Sequence, residues 1–203
     1  SSAPITITEE NEVYRDAQFK AAYVQLNPGT VEQSSKTMLK EPGAEALLQS
    51  AVIAQTEKQF VIDCIHEAGQ TSGIMENYSI VLQGGRYRME ATGKIEKGAR
   101  QAKSHQTSRA LTFDAKQTAS ILPKLLIDEN DVEASHATTI GQMDENQMYY
   151  LQSRGLSEDE AIRLVTIGYL LPIVRISEDP DLQKALAQEI ETKVNEVCLT
   201  SSK

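Results

Sequence analysis

The distribution of apolar residues changes near residue 141, and this change constrains the fold more than any other feature of the chain. Before it, short runs rich in β-branched and apolar side chains alternate with turn residues, and no amphipathic helix separates them. These strand-length runs occupy residues 21–26, 46–54, 60–65, 78–82, 87–91, 110–113 and 125–127. Residues 1–140 are therefore predicted to form an all-β region, and the runs alone leave a sandwich, a barrel and a solenoid open.

Residues 141–203 contain helix signals instead. Asp144 is a candidate N-cap for a helix that ends at Arg154, and Gly155 follows where a left-handed C-terminal cap is favoured. Ser157 opens a capping-box sequence for a second helix, and Asp179 precedes a proline suited to the first turn of a third. The apolar stripe of the third helix consists of Leu182, Leu186, Ile190, Val194 and Val197. We therefore predict a small helical domain after the β region.

Composition and charge exclude several classes of partner. The chain has 203 residues, 40% of them hydrophobic, which is enough for a substantial core. A formal net charge of −9 opposes binding to nucleic acid and to anionic lipid. No apolar stretch approaches the roughly 20 residues that a membrane-spanning helix needs. The sequence thus predicts a soluble, cytoplasmic protein that binds neither nucleic acid nor membrane.

The cysteines and histidines do not form a recognisable metal motif. Cys64 and Cys198 are far apart, and no two of His66, His105 and His136 have helical i+3 or i+4 spacing. The sequence therefore encodes no self-contained metal site. Cys64 lies in an apolar run and is predicted to be a buried structural thiol, whereas Cys198 has no predicted role. His136 is either a surface histidine, which the residues alone favour, or a ligand or proton donor.

The signatures of common enzymes are missing from the sequence. The glycines form neither a phosphate-binding loop with its lysine nor a dinucleotide-binding fingerprint. A nucleophile elbow of the Gly-x-Ser-x-Gly type is also absent. We therefore predict that the chain is not an enzyme.

The first predicted helix has more apolar surface than one face requires, because Met148, Tyr149, Tyr150 and Leu151 are consecutive. Two interpretations follow. The favoured one is that these side chains pack against the β region, and the alternative is that they dock a partner protein.

Several motifs near the change of pattern resemble the SufB/SufD family of the SUF iron–sulfur cluster assembly system. The strongest is residues 132–141, VEASHATTIG, followed by Asp144, by residues 149–151 (YYL) and by residues 153–155 (SRG). Upstream matches lie at residues 93–95, 98–99, 108–111 and 123–127, and downstream matches at Ser157, Glu158, Ala161 and Gly168. The resemblance covers residues 45–175 well and the ends weakly.

The resemblance implies a mainly β fold: a right-handed parallel β-helix over residues 1–140, followed by a small α-helical domain over residues 141–203. It also implies a scaffold subunit of a SufBCD complex, with a SufC-type ATPase and a SufB-type scaffold as partners. The ATPase would dock on Met148, Tyr149, Tyr150, Arg154 and Gly155. Strands near the end of the β-helix would join the SufB-type partner, or a second copy when the chain is isolated.

Within the family the chain is similar to SufD rather than SufB. Ser108 and Gln117 stand where SufB-type chains have cysteines, and Ala137 replaces a glutamate. His136 matches a histidine that SufD-type chains contribute at the SufB interface, where it would be cluster-proximal and a transient iron ligand. Ala134 replaces a cysteine found in some SufD-type chains. No stably bound cofactor is implied, only a transient iron–sulfur cluster.

Two alternatives to the SufD-type scaffold stay open. One is a SufB-type scaffold that binds a cluster directly. The other is a β-helix enzyme that acts on polysaccharide, although the groove of Asp, Arg and Lys that it needs is not identifiable in the sequence.

Overall fold

The fold was analysed in a computed structural model, which describes residues 3–82, 84–113 and 117–199. In this part of the chain, ten strands precede three α-helices and a 3-10 helix. The strands are β1 (Ile5–Val13), β2 (Gln18–Gln25), β3 (Val31–Leu39), β4 (Glu45–Ala54), β5 (Glu57–His66), β6 (Ser72–Val81), β7 (Arg86–Ile95), β8 (Lys103–Thr112), β9 (Thr118–Ile127) and β10 (Glu133–Gln142). The helices are α1 (Glu145–Ser153), α2 (Glu158–Leu170), the 3-10 helix (Leu171–Ile176) and α3 (Pro180–Leu199).

The strands form a parallel β-solenoid. Among the described residues, sheet A has the order β1-β3-β5-β7-β9 and sheet B the order β10-β8-β6-β4-β2, and every pairing is parallel. Each coil thus contributes one strand to each sheet. The prediction of a parallel β-helix followed by helices is confirmed. The later coils are longer than the earlier ones, since Val31 pairs with Lys58 whereas Arg86 pairs with Thr118, so the coils do not share one fixed repeat length.

Alternate residues of each strand point into the solenoid, where they form stacked columns. Apolar columns include Leu48, Phe60 and Met89, all fully buried. One column in sheet B is polar instead: Ser50 Oγ donates to Asn77 Oδ1 at 2.8 Å, and Asn77 Nδ2 donates to Ser108 Oγ at 3.1 Å. These hydrogen bonds satisfy polar groups that would otherwise be costly to bury.

The helices pack on the outer face of sheet B. Their apolar side chains form one cluster with outward-facing residues of the sheet: Leu26, Ala51, Ile53 and Ile80 from the β region, and Leu170, Ile173, Ile190 and Val194 from the helices. An ion pair between Lys20 Nζ and Glu178 Oε1, at 2.9 Å, joins the same two layers. The division at residue 141 into two domains stays a prediction. None of the helices in the described ranges is long and apolar enough to span a membrane.

The helix ends follow the sequence signals closely. Asp144 accepts a hydrogen bond from Asn146 N, and Ser157 and Glu160 form a complete capping box. Asp179 Oδ1 accepts from Asp181 N at 2.9 Å, and Gly155 has the predicted left-handed conformation with φ +95°. The cap predictions are therefore confirmed.

Each predicted strand-length run overlaps one strand of the structure, so the positions of the runs are confirmed. Strands β1, β3 and β10 were not predicted from periodicity, because polar residues dominate their sequences. Cys64 is fully buried as predicted, whereas the side chain of Cys198 lies outside the described part of the chain.

Candidate functional site

The last coil of the solenoid, formed by β9 and β10, has an open side in the described structure. Each of its strands pairs with a neighbour on one side only: β9 with β7, and β10 with β8. The residues of β10 that point toward the solenoid interior therefore stack on β8 on one side. On the other side no described strand covers them, so they are exposed. His136 lies over Gln106, Thr138 over Ser108 and Ile140 over Ala110. This surface is a candidate docking end for another sheet.

The backbone of β10 presents a regular series of donors on this open side. Glu133 N donates to Ala102 O, and Met143 N donates to Thr112 O, each at 2.9 Å. Because N–H directions alternate along a strand, the even-numbered residues from 134 to 142 point their N–H groups away from β8. His136 and Thr138 thus offer backbone donors at the edge where their side chains are also exposed.

Strand β9 differs at its open edge. Thr118 N donates to Gly85 O and Asp128 N donates to Ile95 O, so the odd-numbered residues between them face the open side. Pro123 occupies one of these odd positions. Proline has no N–H, and an edge position is where a sheet tolerates it. The open edge of sheet A is therefore interrupted, whereas no proline interrupts β10.

Apolar side chains surround the open end. Leu122 and Leu126 are about half exposed on the outer face of β9, and Ile127 and Ile140 are exposed to a similar degree. The lysine between Leu122 and Leu126 is paired, since Lys124 Nζ lies 2.7 Å from Glu90 Oε2. Exposed apolar residues with paired charges are typical of a protein interface.

Helix α1 forms a second exposed surface directly after β10. Tyr149 is 72% exposed and Tyr150 is 55% exposed, and none of the residues of α1 is buried. The prediction that these tyrosines pack against the β region is therefore wrong. The reason is geometric: α1 packs mainly against α2, and it is α2 that packs against β6 of sheet B.

Arg154 belongs to the same surface of α1. Its guanidinium lies over the ring of Tyr150, 5.1 Å from the ring centre, which is a cation–π arrangement. Gly155 ends the helix beside it, and Met148 is half-buried. The five residues predicted to dock an ATPase thus lie along one short helix and its C-terminal cap; their role stays a prediction.

The other residues singled out in the sequence lie mostly inside or at the margin of the solenoid. Ser108 is buried in the polar column of sheet B. Gln117 Oε1 accepts a hydrogen bond from Phe113 N at 2.7 Å. Ala134 packs against a small cluster around Ile95 and Ala99. His136 therefore lies at the open end without Ser108 or Gln117 exposed beside it.

Sequence reasoning missed that His66 lies in the interior. It is fully buried in β5, two residues after Cys64. The signal was available, because Phe60, Ile62 and Cys64 alternate along the strand and His66 continues the same phase.

Comparison with known proteins identifies the group to which this architecture belongs. A family model described as "SUF system FeS cluster assembly, SufBD core domain" matches residues 5–169. The chain belongs to this SufBD family. The match includes all ten described strands, α1 and nearly all of α2, so the open coil and the exposed helix are both within it. This membership favours iron–sulfur cluster assembly over the polysaccharide-acting alternative.

Individual relatives agree with the family. The iron–sulfur cluster assembly protein SufD of Bacillus subtilis is 34% identical over 182 residues, which are 89% of this chain and 42% of that protein. A SufBD family protein of Archaeoglobus fulgidus is 30% identical over 184 residues, 89% of this chain and 48% of the relative. SufB of Bacillus subtilis is 28% identical over 140 residues, 68% of this chain and 30% of the relative. The chain therefore spans less than half the length of these relatives.

Proposed function

We propose that this chain is a SufD-type scaffold subunit of iron–sulfur cluster assembly, which pairs with a SufB-type protein and docks a SufC-type ATPase. It would act in the cytoplasm as a non-catalytic member of a SufBCD complex. Its membership in the SufBD family supports a role in iron–sulfur cluster assembly. The observation that carries the scaffold role is the open last coil, whose edge donors and exposed apolar residues suit another protein rather than a small substrate.

The proposed SufB-type partner would extend the solenoid at β10. A parallel or antiparallel strand could pair with the free N–H groups of His136 and Thr138, and Ile140 would become buried. The imidazole of His136 would then lie at the seam between the two proteins. A neutral imidazole is a suitable ligand for iron, so His136 is proposed to contact a cluster transiently as it forms there.

A SufD-type role is favoured over direct cluster binding by a SufB-type chain. The chemistry at position 108 is the reason: Ser108 is buried and hydrogen-bonded to Asn77, and its hydroxyl is a poorer ligand for soft iron–sulfur species than a thiolate. Alignment with the SufD relative also covers more of this chain than alignment with the SufB relative, 89% against 68%.

The proposed ATPase site is the exposed surface of α1. Tyr149 and Tyr150 supply large aromatic area, and Arg154 supplies a cation held over an aromatic ring. Tyrosine and arginine are enriched among the residues that dominate binding energy at protein interfaces. The neighbouring Gly155 cap fixes the direction in which the chain leaves α1.

Isothermal titration calorimetry with the cognate SufC-type ATPase tests this site. We expect binding with a micromolar or lower dissociation constant, and its loss when Tyr150→Ala and Arg154→Ala are combined. Leu182→Ala in α3 is the matched control, because it also removes an exposed apolar side chain but lies on another helix.

Circular dichroism would establish that each variant is folded. Absence of binding by the folded parent chain, or equal binding by the double variant, would overturn the docking proposal.

A further inference from the structure

Two potential ligand atoms converge inside the solenoid, away from both proposed docking surfaces. Cys64 and His66 are inward residues of β5, and both are fully buried. Gly73 of β6 faces them across the interior. A Cβ atom placed on Gly73 would lie 2.6 Å from Cys64 Sγ and 2.9 Å from His66 Nε2. The thiol and the imidazole therefore both lie against the backbone of Gly73, where any side chain would collide with them.

The hydrogen bonds of His66 determine which ring nitrogen has a free lone pair. The hydroxyl of Thr71 donates its proton to Ala68 O at 3.0 Å, so it can only accept from His66 Nδ1, which lies 2.8 Å away. Nδ1 is therefore protonated, and the lone pair of the neutral ring is on Nε2. Histidines that bind metals show this arrangement, in which the second nitrogen donates to a fixed acceptor.

The lone pair on Nε2 has no hydrogen-bond partner among the described residues, although the ring is fully buried. Two further buried hydroxyl oxygens nearby are also unpaired in the described structure. Thr37 Oγ1 belongs to the residue that pairs with Cys64 in sheet A, and Ser104 Oγ belongs to the residue that pairs with Gly73 in sheet B. Unpaired buried polar atoms are costly and rare, so the free lone pair of His66 beside a buried thiol calls for an explanation.

We propose that Cys64 and His66 form a binding site for a monovalent thiophilic metal ion of the Cu(I) class. The donor types support this class, because thiolate sulfur and imidazole nitrogen are preferred ligands of Cu(I). The number of donors supports it as well. No group of three or more His, Cys, Asp or Glu side chains that could hold a metal occurs among the described residues, whereas structural zinc takes four protein ligands.

Charge balance favours a monovalent ion over a divalent one. On binding, the Cys64 thiol releases its proton to solvent, the thiolate sulfur forms a bond to the metal, and Nε2 of neutral His66 donates its lone pair. No electron is transferred. One cation and one thiolate then give a site with no net charge, which a buried environment accepts, whereas a divalent ion would leave an unpaired positive charge.

A short turn separates the site from a groove on the surface. Thr71, the acceptor for His66, lines this groove together with Gln70, Gln101 and Lys103. Gln70 has a left-handed backbone with φ +56°, which is strained for a residue other than glycine. Opening of the turn at Gln70 and Thr71 is the proposed route by which an ion reaches Cys64.

The test uses the full 203-residue chain with Cys198→Ser, so that Cys64 is the remaining thiol. Cu(I) is added without oxygen in competition with a chromogenic Cu(I) chelator. We expect one equivalent of Cu(I) to be retained, with one sulfur and one nitrogen ligand in its X-ray absorption spectrum. Gly73→Ala keeps both donor residues, but its Cβ would lie 2.6 Å from Cys64 Sγ and force the donors to shift. It should weaken retention by about a hundredfold.

Cys64→Val removes the thiol without enlarging the side chain much, and it should abolish retention even if Gly73→Ala does not fold. His105→Ala is the control, because it removes a half-buried imidazole of β8 that belongs to none of the proposed sites. Failure of the Cys198→Ser chain to retain Cu(I), or equal retention by Cys64→Val, would overturn the proposal. Either result would leave the ATPase-binding measurement unaffected.

Discussion

Lys58 places an amino group in the interior of the solenoid, where it closes the turn between β2 and β3. The side chain is fully buried, and Nζ donates to Asn27 O at 2.8 Å, to Asn27 Oδ1 at 2.9 Å and to Gly29 O. These carbonyl groups replace the water that the amino group loses. Burial nevertheless disfavours the charged form and lowers the pKa of Lys58 from 10.5 to about 8.

This pKa gives a pH dependence of stability with a defined sign. Between about 8 and 10.5 the unfolded chain binds more protons at Lys58 than the folded chain does. The contribution of Lys58 to the free energy of unfolding should therefore rise as the pH is raised through this window. Urea denaturation measures the free energy of unfolding of the parent chain and of Lys58→Met. The value for the parent chain minus the value for Lys58→Met should increase with pH. A difference that is constant from pH 8 to 10 would contradict the prediction. Lys36→Met in β3 is the control, because this lysine is only half-buried.

At the scale of single elements, β9 and β10 differ in how they can pair. Pro123 interrupts the open edge of β9, whereas the N–H groups of alternate residues along β10 are free to donate. Natural proteins commonly use proline to prevent pairing at a sheet edge. We therefore expect β10 to form the backbone hydrogen bonds with a SufB-type partner.

Thr138→Pro tests this expectation, because the N–H of Thr138 points away from β8 and its removal costs the solenoid no backbone hydrogen bond. Affinity for the proposed SufB-type partner should fall by about tenfold or more, because the proline removes an interface hydrogen bond and its ring adds a steric clash. Sedimentation with the purified partner provides the measurement. Thr138→Ala keeps the N–H and should bind normally; a similar loss in that variant would assign the effect to the side chain.

The elements also differ in how far the sequence predicts them. The helix boundaries were predictable because caps are local signals: Asp144, Ser157 and Asp179 act within four residues. Strands β1, β3 and β10 were not, since their polar residues are stabilised by neighbouring coils far away in sequence. The position of His136 at an open end came from the family resemblance. The exposure of Tyr149 and Tyr150 depends on which helix covers which face, and periodicity does not contain that information.

For the whole molecule, the cluster between sheet B and the helices determines how unfolding proceeds. Ile53 and Ala51 of the solenoid share this cluster with Ile190 and Val194 of α3. Because each layer buries the apolar face of the other, we expect the two to unfold in one cooperative transition.

Ile190→Ala should lower the free energy of unfolding by about 2–5 kcal/mol, since it removes a fully buried side chain and leaves a cavity. Chemical denaturation followed by far-ultraviolet circular dichroism measures this, because both helix and strand contribute to the signal. Leu182→Ala, about half exposed on the same helix, should change stability by no more than about 0.5 kcal/mol. A separate early loss of helix signal in Ile190→Ala would show that the layers are independent.

Pro123 also makes the two open edges of the last coil unequal, and this affects how a partner is held there. The helices cover sheet B, and β10 is the outermost described strand of that same sheet. A partner that hydrogen-bonds along β10 and not along the interrupted edge of β9 would meet β10 through its backbone and β9 through its exposed apolar side chains. The two sides of such a junction would differ in how strictly they fix direction, because backbone hydrogen bonds are directional and apolar contacts are not.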